Sequence, residues 1–306
     1  MNLYSAIDEL PDDFRAGAVT IGNFDGVHRG HAELLKRLTT RAKEFGGPSV
    51  VFTFEPHPVR LLRPDEAPAP LTWVDRKAEL LAMLDVDVVI AFPTSREFLK
   101  LTPEEYFQQI ICDQLRTRAV VEGPNFFFGK NRAGNTDTLR ELCERNNIAL
   151  DIVTPIKLDT EFVSSSRVRA AIADGNVDLA NEMLTQPYRV RGMVTHGAGR
   201  GAGIGFPTAN LSAVDTLLPG VGVYAGRAMV GGETKIAAIN IGPNPTFHEK
   251  VPKVEVHLLD FKKSIYGEPL EVDFLAHLRD VQSFDSLEQL KEQLARDIEK
   301  TRSLVK

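Results

Sequence analysis

Residues 22–31 read Gly22-Asn23-Phe24-Asp25-Gly26-Val27-His28-Arg29-Gly30-His31. An apolar segment at residues 18–21 precedes this run and is typical of a first strand. Apolar side chains then recur with helical spacing, which predicts a helix over residues 31–45. The run therefore lies at a strand-to-helix turn, where its glycines let a ligand approach the backbone closely.

Two histidines, His28 and His31, stand three residues apart at the start of that helix. A helix N-terminus offers free N–H groups and a positive dipole end, and both favour a phosphate group. Two imidazoles on one side of the first turn can stabilise the charge that develops on a phosphoryl group during its transfer. The pair is also compatible with a capping role or with half of a metal site, although no cysteine or second histidine pair lies nearby. A Walker loop is absent from the sequence, since no Gly-Lys is followed by Ser or Thr.

Length, charge and composition predict a two-domain globular protein. A chain of 306 residues exceeds what one hydrophobic core usually supports. The net charge of −6, with no basic tail or stripe, argues against nucleic acid as the main partner. The two cysteines fit a reducing compartment, and we recognise neither a signal peptide nor an apolar stretch that could span a membrane. We therefore expect a cytoplasmic protein without a membrane partner.

The first part of the chain alternates strand and helix patterns. We expect strands at residues 18–21, 49–54, 86–92, 119–122 and 148–153, and helices at 31–45, 75–84, 103–115 and 136–146. Such alternation predicts a parallel sheet with helices on both faces. Ligands of these sheets bind at the carboxyl ends of the strands, where residues 22–31 would lie.

The pattern changes near residue 187, where glycines become frequent and short strand patterns dominate. These occur at residues 188–194, 222–228, 235–241, 254–259 and 270–274, and they predict a small barrel or sandwich. A helix follows, and Asp285 and Glu288 have the spacing of its capping box. We place the domain boundary so that residues 1–185 form one domain and residues 186–306 the other.

Three motifs carry a family resemblance. The run at residues 22–31 resembles the nucleotidylyltransferase signature, in the form found in bifunctional riboflavin kinase/FMN adenylyltransferases, the prokaryotic FAD synthetases. Val163-Ser164-Ser165-Ser166-Arg167-Val168-Arg169 resembles the second nucleotidylyltransferase signature. Gly205-Phe206-Pro207-Thr208-Ala209-Asn210 closely resembles the riboflavin kinase signature. The resemblance covers nearly the whole chain and implies a Rossmann-like nucleotidylyltransferase domain with a parallel sheet, followed by a small β-barrel with a terminal helix.

For the first domain, the resemblance implies that His28 and His31 are catalytic. It implies that ATP is bound by residues of both signatures and of the loop after the fourth strand, namely Gly22, Asn23, Phe24, Asp25, Gly30, Asn125, Ser164, Ser165, Ser166 and Arg169. It implies a flavin site beside Pro56, His57, Pro58 and Phe128, where an exposed aromatic ring would stack on the isoalloxazine. Many family members have Arg where this chain has Phe127. Without the family, the serines would indicate only a helix cap and the prolines only a strand end.

For the second domain, the resemblance implies that Gly197, Arg200 and Gly203 bind phosphate. Thr208 and Asn210 would be Mg²⁺ ligands, because their oxygens are of the hard type that Mg²⁺ prefers. Glu255 would orient or deprotonate the 5′-hydroxyl of riboflavin. Residues 240–247 complete the family pattern, and Ala202 stands where the family often has a second Arg.

The resemblance implies two ATP-dependent steps, from riboflavin to FMN and from FMN to FAD. Mg²⁺ would be the cofactor, ATP the co-substrate, and the flavins substrate and product. We expect the partners to be riboflavin, FMN and ATP, and we leave open a homo-oligomer and delivery of flavin to apo-flavoproteins. Two alternatives remain at this stage. One is another nucleotidylyltransferase, such as a cytidylyltransferase, with an unrelated β-domain; the other is a flavin- or nucleotide-binding protein in which one or both activities are lost.

Overall fold

The computed structural model describes residues 1–197, 200–243 and 253–305. The chain divides into two compact units. The N-terminal unit comprises Met1–Pro68 and Val74–Ser164, and the C-terminal unit comprises Ala69–Trp73 and Ser165–Lys306.

The N-terminal unit contains a six-stranded parallel sheet. Its strands are β1 (Asn2–Tyr4), β2 (Ala18–Ile21), β3 (Ser49–Glu55), β4 (Val88–Pro93), β5 (Ala119–Glu122) and β6 (Ala149–Ile152), in the order β1-β4-β3-β2-β5-β6. A short hairpin of β7 (Lys157–Leu158) and β8 (Glu161–Phe162) follows. The helices are α1 (Arg29–Glu44), α2 (Pro58–Leu62), α3 (Val74–Ala82), α4 (Pro103–Tyr106), which continues as a wider helical turn over Phe107–Gln114, and α5 (Thr136–Arg145).

The strand order places a binding crevice beside β2. The chain passes from β2 to β3 and β4 on one side, and then to β5 and β6 on the other. Ligands of open α/β sheets bind where the strand order reverses in this way, at the carboxyl ends of the strands. Residues 22–31 begin at that point, directly after β2.

Both faces of this sheet are covered by apolar side chains. One core combines Leu35 and Leu38 of α1 with Val51 and Val89 of the sheet. The other combines Phe107, Ile111, Leu115, Leu139 and Cys143 with Val50, Phe52 and Ile90. Strand residues alternate between the two cores, so the apolar runs of the sequence fill both. The prediction of a parallel sheet with helices on both faces is confirmed.

The C-terminal unit is a closed antiparallel barrel preceded and followed by helices. The first helices are α6 (Ser165–Ala173) and α7 (Val177–Met183). The strands are β9 (Tyr188–Thr195), β10 (Ala209–Ser212), β11 (Gly222–Val230), β12 (Glu233–Gly242), β13 (Lys253–Leu258) and β14 (Pro269–Arg279), in the cyclic order β10-β13-β12-β11-β14-β9. The short α8 (Arg200–Gly203) follows β9, and α9 (Leu287–Leu304) ends the unit. The predicted barrel with a terminal helix is confirmed.

The start of α9 differs from the prediction by one residue. Ser286, rather than Asp285, is the N-cap, and its side chain accepts a hydrogen bond from the backbone N–H of Gln289 at 3.2 Å. The Gln289 side chain in turn accepts from the backbone N–H of Asp285 at 3.3 Å. The predicted pair of Asp285 and Glu288 is therefore wrong, because Ser286 and Gln289 have the same spacing and form the bonds.

Candidate active sites

The two histidines lie together at the first turn of α1. His28 is the N-cap, and its Nδ1 accepts a hydrogen bond from the backbone N–H of His31 at 3.3 Å. The two rings stack with centroids 3.6 Å apart and planes 16° apart. Because Nδ1 accepts, the neutral ring carries its proton on Nε2 by inference from this bond. His28 therefore offers an Nε2–H donor on the side away from its cap.

Burial keeps both imidazoles neutral. It lowers the pKa of His28 to about 4. The pKa of His31 is also well below its ordinary value, first because of burial and then because of the nearby His28 and Lys77. At neutral pH the two side chains are thus uncharged hydrogen-bonding groups and not cations.

The backbone of residues 22–31 is strained where it approaches the histidines. Phe24 and Val27 have φ angles of +47° and +40°, a region that non-glycine residues and above all β-branched ones rarely adopt. Gly30 has a different reason to be glycine, because a Cβ there would come within 3.1 Å of the His28 ring and 3.5 Å of the Val163 carbonyl oxygen. Strain of this kind concentrates at functional sites.

Two polar atoms in this turn are buried without a hydrogen-bond partner among the described residues. They are Oδ1 of Asn23 and Nδ1 of His31. Buried polar atoms are nearly always hydrogen-bonded, so each exception needs an explanation. A substrate that supplies donors and acceptors at this turn would provide one.

A neighbouring helix and a neighbouring strand add two buried ionisable groups that the sequence analysis did not identify. Lys77 of α3 donates from Nζ to Thr53 Oγ1 at 3.4 Å, and Thr53 Oγ1 donates to the Asn23 carbonyl oxygen at 3.2 Å. Glu122, at the end of β5, accepts from the backbone N–H of Ile21 at 2.6 Å. Burial raises the pKa of Glu122 well above its ordinary value, although the hydrogen bonds that Glu122 accepts, first of all from Ile21, oppose the rise.

An ion-pair cluster fixes α1 against the sheet. Arg37 Nε lies 2.8 Å from Asp151 of β6, and Arg41 binds the same carboxylate. Hydrogen bonds from the two guanidinium groups lower the pKa of Asp151 to about 2. Because α1 carries the histidines, this cluster helps to hold their position above the sheet.

The predicted flavin segment follows β3, the strand next to β2. His57 caps α2, and its Nδ1 accepts from the backbone N–H of Val59 at 3.1 Å. Thr94 Oγ1 donates to the Pro56 carbonyl oxygen at 2.8 Å, and Pro58 is the first residue of α2. The segment is therefore anchored at the same edge of the sheet as the histidine turn.

The loop after β5 contradicts one premise of the flavin prediction. Phe128 is only 6% exposed, and its ring stacks on Phe126 at 5.3 Å and contacts Tyr106. Its backbone pairs with Gly134, which turns the ring into the core. The exposed ring is Phe127, which lies 4.8 Å from the Arg132 guanidinium. The expected exposed aromatic is thus Phe127 and not Phe128, while Asn125 is exposed in the same loop.

The second signature spans the boundary between the units. Ser164 ends the N-terminal unit, whereas Ser165, Ser166 and Arg169 lie in the first turns of α6 in the C-terminal unit. Arg169 Nε donates to the Ala69 carbonyl oxygen at 2.9 Å. Within the N-terminal unit, the chain just before Ser164 approaches the first signature, since Gly30 faces the Val163 carbonyl.

In the barrel, strand register assembles the predicted kinase residues. Asn210 of β10 and Asn240 of β12 are both paired with Glu255 of β13, which lies between them. The Asn240 side chain donates to Glu255 Oε2 at 3.5 Å. These residues share the strand face opposite the buried Val254 and Val256. Asn240, which belongs to residues 240–247 of the family pattern, is thus a further candidate site residue.

The glycine-rich segment approaches the same residues. A Cβ on Gly197 would overlap the Asn210 amide, and a Cβ on Gly201 would overlap the Phe206 carbonyl oxygen. The His257 Nδ1–H donates to the Pro207 carbonyl oxygen at 2.7 Å. This bond connects the backbone just before Thr208 to β13. Gly203 is exposed at the end of α8. The side chains of Arg200 and Ala202, and residues 244–247 of the family pattern, lie outside the described residues.

Two cavities are lined by the segment that contains Thr208 and Asn210. One, of about 520 Å³, is lined by Asn210, Gly197 and Lys253 among others. The other, of about 130 Å³, is lined by Thr208 and Tyr266 among others. Among the described residues there is no cluster of three or more histidines, cysteines or acidic residues that could hold a metal ion. None of the helices described is both long and apolar enough to cross a membrane.

Comparison with known proteins matches each half of the chain to an enzyme family. A model of the FAD synthetase family matches residues 10–167, and one of the riboflavin kinase family matches residues 184–305. A bifunctional riboflavin kinase/FMN adenylyltransferase of Pseudomonas fluorescens is 36% identical over 305 residues, covering 99% of this chain and 98% of that protein. Its counterpart in Bacillus subtilis is 34% identical over 293 residues, covering 94% and 92%.

A solved structure has the same fold over almost the whole chain. A crystal structure described as a macrolide-efflux protein of Streptococcus pneumoniae matches with a TM-score of 0.87 and 31% identity, covering 98% of both chains. The two family models match successive parts of the chain, and the curated relatives are named for both activities. This chain belongs to the family of bifunctional riboflavin kinase/FMN adenylyltransferases.

Proposed function

We propose that this chain converts riboflavin to FAD in two ATP-dependent steps, with the adenylyltransferase in residues 1–185 and the kinase in residues 186–306. The observation that carries the proposal is the tandem match of both enzyme families to the chain. The buried histidine turn at the switch point of the sheet and the register of Asn210 with Glu255 support it. We place this chemistry in the cytoplasm, because the two cysteines fit a reducing compartment.

In the kinase step, the 5′-hydroxyl oxygen of riboflavin attacks the γ-phosphorus of ATP. A new O–P bond forms, the bond from the γ-phosphorus to the β–γ bridging oxygen breaks, and ADP leaves. Glu255 is placed to accept the hydroxyl proton, and Asn240 orients the Glu255 carboxylate through its amide. Gly197 and Gly203 let the backbone approach the phosphates, with Arg200 as the charged contact.

The residues at Thr208 and Asn210 fit a magnesium ion. A hydroxyl just before β10 and an amide oxygen within it form the sparse set of protein ligands with which Mg²⁺ is usually held beside substrate phosphates. Gly197 lies against the Asn210 amide, so a phosphate bound at the glycine-rich segment would meet the same ion. The ion would supply charge neutralisation for the phosphates of ATP.

In the adenylyltransferase step, a phosphate oxygen of FMN attacks the α-phosphorus of a second ATP and pyrophosphate leaves. His28 donates from Nε2–H to the oxygens on which negative charge develops, and His31 lies stacked beside it. The bound substrates form hydrogen bonds with two buried atoms of this turn, Asn23 Oδ1 and His31 Nδ1. The conformation of the turn depends on Gly22, Phe24, Asp25 and Gly30. The proposed contacts of ATP are Asn125, Ser164, Ser165, Ser166 and Arg169. The proposed contacts of the flavin are Pro56, His57 and Pro58.

The test is a direct assay of the purified chain with riboflavin, ATP and Mg²⁺, followed by chromatographic separation of the flavins. We expect FMN to appear first and FAD to follow, and supplied FMN with ATP to give FAD and pyrophosphate in equal amounts. CTP accepted in place of ATP would favour another nucleotidylyltransferase. A chain that binds flavin but forms neither product would be a binding protein.

A further inference from the structure

Lys77 is a buried cation at the adenylyltransferase site to which neither family signature assigns a role. It is 7% exposed and lies on the apolar side of α3, where Leu80 and Leu81 fill the core. Lysine is almost never fully buried unless it is paired. Within the described part of the chain, its ammonium makes one hydrogen bond, the long one of 3.4 Å to the Thr53 hydroxyl. An ammonium group has three donors, so most of its capacity is unused.

The charges around Lys77 belong to the two segments that the reaction must bring together. Its ammonium is attracted by Asp25 of the histidine turn and by Glu55, the residue before Pro56. Its positive charge is also felt by His31, whose pKa it helps to lower. Lys77 thus lies between the turn that handles ATP and the segment proposed to hold the flavin.

The reaction needs positive charge at this place. It joins two anions, the phosphate of FMN and the α-phosphoryl group of ATP, and unscreened repulsion between them would oppose their approach. The stacked imidazoles are neutral at pH 7, so they do not supply that charge. Cationic groups aimed at transferring phosphoryl groups are the usual solution.

On the basis of the proposed function, we infer that Lys77 binds the phosphate group of FMN and holds it against the α-phosphoryl group of ATP. Lys77 lies against Thr53 of β3, and this strand leads directly into Glu55 and Pro56. The hydroxyl of Thr53 holds the ammonium in the free enzyme. When FMN binds, the ammonium exchanges that long bond for a phosphate oxygen.

The test compares Lys77→Met and Lys77→Gln with the wild type in FAD formation from supplied FMN. Methionine keeps the length of the side chain without its charge, and glutamine keeps a donor for Thr53 without the charge. We expect both variants to lose about a hundredfold in kcat/KM for FMN, the usual cost of one preorganised donor. Most of this loss should appear as a higher KM for FMN, while FMN formation from riboflavin stays at the wild-type rate. Lys43→Met, which removes an exposed lysine of α1, is the matched control.

The outcomes separate this inference from its alternatives. Thermal melting of each variant checks its fold, and Lys77→Met should not melt earlier, since it removes a buried charge. Normal activity in Lys77→Gln but not in Lys77→Met would show a structural hydrogen bond and overturn the inference. A rise confined to the KM for ATP would overturn the assignment to FMN, and rates within threefold of Lys43→Met would overturn any phosphate role. If the wild type itself forms no FAD from FMN, the proposed function fails and the inference fails with it.

Discussion

The two candidate active sites are built in opposite ways. In the N-terminal unit the histidines, Asn23 and Asp25 come from one continuous turn, and their polar atoms are buried or nearly so. In the barrel, Asn210, Asn240 and Glu255 come from three strands and are half-exposed. One site is fixed by local backbone strain and burial, and the other by the register of a closed sheet.

This difference determines how each site should respond to mutation. Loss of a group from the buried turn removes a preorganised donor and also leaves other buried atoms unpaired. Loss of a half-exposed group from a strand leaves the barrel intact, because the ladder of backbone hydrogen bonds does not depend on it. We therefore expect cleaner separation of activity from stability in the barrel than in the histidine turn.

The largest effect should come from the proposed magnesium ligands. Thr208→Ala and Asn210→Ala should reduce FMN formation from riboflavin by at least about a hundredfold, because the phosphates of ATP lose their neutralising ion. FAD formation from supplied FMN should stay within about twofold of the wild type, since we assign that chemistry to the proposed domain of residues 1–185. Steady-state assays of both reactions measure this, with Thr234→Ala, an exposed threonine of β12, as the control. Equal loss of both activities would show that the sites are not separate.

The next effect concerns His28. His28→Ala should lower kcat for FAD formation from FMN by about a hundredfold, with a smaller rise in KM for ATP, because its contact strengthens in the transition state. The double change of both histidines should not cost twice as much, since groups that act as a unit are not additive. Riboflavin phosphorylation is the internal control.

A second variant separates catalysis from capping at the same position. His28→Asn keeps a good N-cap for α1 but has no imidazole. We expect its melting temperature to exceed that of His28→Ala while its turnover stays low. Unchanged turnover in either variant would leave His28 as a structural cap and nothing more.

The contrast between the sites also explains what the sequence could predict. The histidine turn is contiguous, so a pattern of ten residues identifies it and its place after β2. Lys77 has no such pattern, yet a signal exists: it occupies an apolar-face position, three and four residues before Leu80 and Leu81. Glu122 has a similar one, as the single charged residue at the end of an apolar strand.

Other features were beyond sequence reasoning for a physical reason. The β1 strand (Asn2–Tyr4) is too short to show a periodicity, and only its pairing with β4 defines it. The burial of Phe128 depends on a backbone pair with Gly134 that turns the loop inward. The alignment of Asn240 with Glu255 depends on the register in which β12 pairs with β13, and this long-range pairing is not visible in a local sequence pattern.

A smaller effect tests how far the barrel depends on the helices before it. Asn181 of α7 donates to the Phe274 carbonyl oxygen and accepts from the backbone N–H of Tyr188, both at 2.8 Å. Val177 and Met183 of the same helix are fully buried. We expect a fragment of residues 187–306 to phosphorylate riboflavin but to be less stable than a fragment of residues 165–306 by a few kcal/mol, since each buried apolar side chain contributes about 1.5–3 kcal/mol. Chemical denaturation of both fragments measures the difference, and a folded shorter fragment that makes no FMN would contradict the proposed boundary.

The smallest effect concerns Glu122, the buried carboxyl beneath the histidine turn. Because its pKa is raised in the folded protein, the unfolded chain ionises first as the pH increases. Its contribution to stability is therefore complete below pH 4.5 and decreases as the pH rises toward the folded pKa. Glu122→Gln keeps an acceptor for the Ile21 N–H and cannot ionise, so its stability should match the wild type at pH 5 and exceed it at pH 8. Denaturant unfolding at both pH values measures this, with Glu292→Gln on the exposed face of α9 as the control. If the wild type and Glu122→Gln respond equally to pH, Glu122 is not protonated in the folded state, and the buried turn must then accommodate a carboxylate charge.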